Sequence, residues 1–153
     1  MLFRSASAHD LWLVPERQGN ALVIRAQTGE HFPASEVAVM PDRVVGFALV
    51  RPDGSRLYLT GSVEEKSFVA RAEATEGIVE ISIRPRVLTL KPEQFEEYLR
   101  AEGLEQIFAL RKKRGLEGKP NPERYSKHAK VLLGQSEDRA LGHELEIVLL
   151  RRP

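Results

Sequence analysis

Between residues 11 and 90 the apolar side chains recur at every second position in short runs, and turn-forming residues close each run. Side chains alternate across a sheet, so this period commits the segment to strands. Ile78, Glu80 and Ser82 alternate with Val79, Ile81 and Ile83, which predicts a sheet with one wet face. The runs Leu11 to Val14, Ala21 to Gln27, Val44 to Val50, Arg56 to Thr60 and Ser67 to Ala72 read as further strands. Pro15 closes the first of them. Pro52-Asp53-Gly54 supplies the backbone angles of a tight hairpin. In Ala21 to Gln27 both alternating sets are largely apolar, which predicts burial on both faces.

At Pro92 the period changes from two to about 3.6, the mark of an inserted helical unit. Pro92 suits a first helical turn, Glu93, Glu96 and Glu97 lie near the positive end of the helix dipole, and Phe95, Tyr98 and Leu99 form an apolar stripe. Gly103 is the expected stop. A second helix, Leu104 to Arg114, carries Leu104, Ile107, Phe108 and Arg111 on one side and ends in Arg111-Lys112-Lys113-Arg114. That basic run reads as cations complementing a helix C-terminus rather than a nucleic-acid patch. Gly115 to Pro122 forms a loop. Tyr125 to Leu133 and Leu145 to Leu150 then read as closing strands joined by the charged connection Gln135 to Arg139, the last of them central or well covered. About seven short strands predict a mainly β fold: an immunoglobulin-like antiparallel β-sandwich with a helical hairpin inserted at about 92–114.

The chain of 153 residues suits one domain, residues 9–153, preceded by a leader remnant at residues 1–8. Its net charge of +1 creates no field that would attract nucleic acid. No apolar stretch reaches the roughly eighteen residues that span a bilayer, so no membrane insertion of this chain is expected. With no cysteine, thiolate metal sites and cysteine nucleophiles are excluded, and any metal must take nitrogen and oxygen ligands. Phosphate-loop, Gly-x-Ser-x-Gly, His-Glu-x-x-His and Rossmann signatures are lacking, so nothing nominates a catalytic acid, base or nucleophile.

The chemistry concentrates at the front. Ala6-Ser7-Ala8 has the small-x-small form that a signal peptidase cuts, and cleavage there makes His9 the first residue of the mature protein. Met1 to Ser5 is far shorter than the apolar core of a signal peptide. The expectation is therefore a start upstream or a removed leader, the alternative being an accidental triplet. A free N-terminal histidine offers its amine and its imidazole to one ion. Asp10 adds an oxygen. His31, in the loop Gly29-Glu30-His31-Phe32-Pro33, is the expected second imidazole, with Glu30 as ligand or orienting acceptor. The predicted metal ligands are thus His9, Asp10, Glu30 and His31. Two or three imidazoles with carboxylates suit nickel, cobalt or copper. His128, beside Lys130, reads as a solvated surface residue, and His143 as a satisfied histidine at the edge of the core.

His9-Asp10-Leu11-Trp12-Leu13-Val14-Pro15, Gly29-Glu30-His31-Phe32-Pro33, Phe95-x-x-Tyr98-Leu99-x-x-Glu102-Gly103-Leu104, Arg124-Tyr125-Ser126-x-x-Ala129-Lys130 and Ala140-Leu141-Gly142 form an ordered series. The series resembles a bacterial domain-of-unknown-function family linked to nickel uptake, whose members are typically exported and often encoded near energy-coupling-factor nickel or cobalt transporters. The resemblance implies a periplasmic β-sandwich that binds a transition metal, with the His-Asp start at His9 and Asp10 and the loop ligand at His31. The chain departs from the family pattern at His128 and at His143-Glu144. The expected function is an exported, non-enzymatic accessory protein that binds nickel or cobalt and serves a membrane metal transporter. Two alternatives stand beside it: a histidine-brace copper oxidoreductase, and a metal-free interaction sandwich.

Overall fold

The structure is a computed structural model and describes residues 9–150; the expected cleavage site and leader remnant lie outside the described residues. The chain divides into two compact units, one formed by His9–Arg84 with residues 126–150 and the other by Pro85–Tyr125.

The first unit contains the predicted strands, apart from the one expected at residues 145–150, and some that the alternation did not announce. They are β1 (Asp10–Gln18), β2 (Ala21–Gly29), β3 (Val37–Ala38), β4 (Val44–Val50), β5 (Arg56–Tyr58), β6 (Gly61–Glu64), β7 (Ser67–Ala72), β8 (Gly77–Leu90) and β9 (Asn121–Leu133), the last two running on into the second unit. One sheet has the order β1-β2-β7-β6, with β3 also paired to β2; the other has the order β5-β4-β8-β9. Every registered pair is antiparallel. β1 continues through Pro15 because it is an edge strand, where a missing N–H removes no ladder bond on the open side. Both sheets turn apolar residues into one core: Leu22, Ile24 and Ala26 from β2 meet Leu49, Val79 and Ile81 from β4 and β8, and Phe47 lies 5.9 Å from Phe68. Ile24 and Ile81 are fully buried. Each contributes about 1.5–3 kcal/mol relative to an exposed side chain.

Two expectations need correction. Residues 145–150 form no strand, and Leu145, Ile147 and Leu150 are 85%, 88% and 90% exposed. Polar side chains seize this segment first: the Glu146 carboxylate accepts the N–H groups of Leu141 and Gly142, and Asp138 accepts that of Leu149. The outer face of β8 is also not wet, since Ile78 and Glu80 are buried. The segment after β9 covers it: Ser136 Oγ accepts the Gly77 N–H, His143 meets Glu80, and Arg56 donates to the Leu141 carbonyl.

The second unit holds α1 (Pro92–Ala101) and α2 (Glu105–Lys113), close to the predicted limits. Gly103 ends α1 at φ 65°, a conformation costly for other residues. Leu90, Phe95 and Leu99 form a small core with Leu104 and Phe108 against them. Arg111 lies 4.7 Å from the centre of the Phe95 ring and bonds Asn121 Oδ1 and the carbonyls of Leu116 and Lys119. It clamps the following loop. Among the described residues no helix is long and apolar enough to cross a membrane.

Candidate metal centre

Strand register brings the site together. Asp10 pairs with Gly29 at one end of the β1–β2 hairpin, so His9 and Glu30 extend from the same end. The loop after β2 folds back through a turn in which the Ala34 N–H donates to the His31 carbonyl. The Glu36 N–H then donates to the Thr28 carbonyl at 2.8 Å, and Val37 pairs with Thr28 to open β3. Three strand ends thereby deliver one imidazole and two carboxylates.

One ligand atom from each of His9, Glu30 and Glu36 lies within 4.8 Å of the others. His9 Nε2 is 3.3 Å from one Glu36 oxygen, and the other accepts the Glu30 N–H at 3.0 Å. That backbone donor holds the Glu36 carboxyl below the ordinary glutamate range, and His9 and His31 act in the same direction. An ionised carboxylate is the form that binds cations. The backbone under the site is fixed as well: Lys127 Nζ donates to the His9 carbonyl, and the Trp12 ring, 5.7 Å from Phe32, lies under Gly29. Trp12 is half-buried and donates its indole N–H to Gln27 at 2.9 Å. The side chains of His9 and Glu36 are 36% and 39% exposed, open to an exchanging ion.

Of the predicted ligands, His9 and Glu30 stand in this group. His31 and Asp10 do not: His31 is an exposed loop residue whose charge reaches Glu36, and Asp10 is exposed and interacts with Lys127. Glu36 is the member of this group that sequence reasoning missed. The signal that could have found it is the loop itself: a chain that reverses after β2 returns whatever follows the loop to the end of that strand.

A different cluster occupies the outer face of the β5-β4-β8-β9 sheet. His128 is not solvated; its ring stacks on that of His143 with centres 4.4 Å apart, and Ser82 Oγ lies 3.0 Å from its Nδ1. Burial pushes its pKa down and His143 adds to that. His143 Nε2 is 3.0 Å from Glu80 Oε2, while Arg56 holds the other Glu80 oxygen. Glu80 Oε2, His128 Nε2 and His143 Nε2 are all buried and none makes a hydrogen bond of acceptable geometry. His143 thus stands at the edge of the core with Glu80 as its partner and His128 stacked on it.

Fold and site define an antiparallel β-sandwich with a helical insert and an exposed histidine-carboxylate cluster at one end of its first hairpin. The chain belongs to the family described as a domain of unknown function (DUF4198), whose model matches residues 6–153. No curated protein and no solved structure matches.

Proposed function

We propose that this protein is an exported, non-enzymatic accessory protein that captures a divalent transition metal at His9, Glu30 and Glu36 and passes it to a membrane metal transporter. The observation that carries the proposal is the gathering of one imidazole and two carboxylates within 4.8 Å at residue 9. Nitrogen and oxygen ligands without thiolate suit nickel(II) or cobalt(II), with copper(II) the tightest competitor at an unselective site. The resemblance to a nickel-linked family favours the first two. Cleavage after Ala8 frees an amine on the residue that already supplies the imidazole, adding a second nitrogen to the ligand set. His31, in the same loop, is the candidate for a further ligand once an ion draws the loop inward. Exposure of the group suits a carrier, which must release its ion as well as bind it.

Titration calorimetry with nickel(II) chloride tests the proposal on protein beginning at His9 and on the chain retaining residues 1–8. The shorter form is expected to bind one additional ion or to bind at least about tenfold more tightly, a loss comparable to that of a supporting ligand contact. Identical heats from the two forms overturn it.

A further inference from the structure

We propose a second, buried site for a divalent transition metal on the outer face of the β5-β4-β8-β9 sheet, ligated by His128 Nε2, His143 Nε2 and Glu80 Oε2. It is independent of the His9 centre, which lies on the opposite sheet.

Three buried polar atoms lie in one neighbourhood: His143 Nε2 faces Glu80 Oε2 at 3.0 Å outside good hydrogen-bond geometry, and His128 Nε2, on the ring stacked against His143, makes no hydrogen bond. An unsatisfied buried group costs about 1–3 kcal/mol, so three together call for a shared partner. A cation bonded to the unprotonated Nε2 of both imidazoles and to the carboxylate would serve all three at once. The surrounding groups already act as an outer shell does: Arg56 fixes the free orientation of Glu80, and Ser82 occupies His128 Nδ1, leaving Nε2 as the available nitrogen. The charges match a divalent ion. Four carboxylates, Glu80, Asp138, Glu144 and Glu146, face two cations, Arg56 and Lys130, which leaves two negative charges beside the imidazoles. A cavity of about 530 Å³ lined by both imidazoles gives an ion a way in. Two imidazoles and one carboxylate select zinc, nickel, cobalt or copper over calcium and magnesium.

His143 Nε2 and Glu80 Oε2, 3.0 Å apart, have the spacing of neighbouring ligands on an ion with bonds of about 2.0–2.2 Å. The trio is not yet gathered as closely as His9, Glu30 and Glu36 are. Loading therefore requires the His128 ring to move toward the other two donors.

The test uses cobalt(II) chloride, equilibrium dialysis and visible absorption on the full chain. A variant without the exposed site, His9→Ala with Glu30→Gln and Glu36→Gln, changes only surface side chains. It is expected to retain one cobalt per chain and to show its imidazole NMR signals from His128 and His143 shifted or broadened, with His31 unaffected. In that background His128→Asn or Glu80→Gln weakens binding by at least about tenfold. If protein beginning at His9 with the exposed site intact also binds a single ion, the His9 proposal fails and this one stands. If the variant binds no cobalt while its circular dichroism matches wild type, the buried trio is a proton-sharing network and the site is refuted. Unchanged affinity after His128→Asn refutes it equally.

Discussion

Removing the Asp138 carboxylate by Asp138→Ala releases the segment that covers the outer face of β8. One Asp138 oxygen accepts from Lys130 Nζ at 2.6 Å and from the Arg139 N–H at 2.8 Å; the other accepts from the Leu149 N–H at 2.7 Å. The two side chains of the pair are 5% and 15% exposed. Deleting one member of a buried pair costs about 3–5 kcal/mol, because the survivor is left charged and unpaired. Lys130 retains the Arg139 carbonyl at 3.0 Å and Glu146 at 4.0 Å, so the expected loss is about 2–3 kcal/mol. At about 2–4 °C per kcal/mol for a chain of this length, the melting temperature falls by about 5–10 °C. Urea unfolding and thermal melts followed by circular dichroism measure both quantities. Hydrogen exchange at Leu149 reports the release directly. A loss below about 0.5 kcal/mol, the scale of a surface pair, refutes the reasoning.

Three further outcomes follow from the same contacts. Burial raises the Asp138 pKa, but Lys130 and the Leu149 and Arg139 N–H groups outweigh it and hold the carboxyl below the ordinary aspartate value of 3.8. A depressed pKa means stability present above that value and lost as pH falls beneath it, so acid titration should destabilise wild type more steeply than Asp138→Ala. Glu36→Gln keeps the shape of the exposed site but removes its ionised carboxylate; nickel affinity measured by calorimetry should fall at least about tenfold with the melting temperature unchanged. Gly29→Ala places a methyl 2.6 Å from the Ala34 carbonyl and 3.1 Å from the Trp12 ring, so the 30–36 loop must shift. Nickel binding should weaken in that variant, and an unaltered affinity would show that the loop does not position Glu30 and Glu36.

The sandwich was legible because burial on one face repeats with the pleat: Val79, Ile81 and Ile83 fall in the core as their alternation requires. The helical pair was legible for the same reason at a different period. Residues 145–150 misled because Leu145 and Ile147 carry the pattern of a strand without a strand partner; side-chain contacts through Asp138 and Glu146 decide that segment, and periodicity does not register them. Likewise Glu80 looked like a wet-face residue, since nothing local announces that a segment some sixty residues later covers it. At the exposed site, His9 and Glu30 were legible from the motif and the loop after β2. Glu36 was not, because its approach depends on the return of the chain to pair Val37 with Thr28, a contact of register rather than composition.

Diffraction from crystals of protein beginning at His9 soaked in nickel(II), recorded at the nickel absorption edge, tests the exposed centre most directly. The account predicts an anomalous peak about 2.0–2.2 Å from a His9 nitrogen and within bonding reach of the Glu30 and Glu36 carboxylates. Crystals that bind nickel elsewhere but show no peak among these three residues would contradict it.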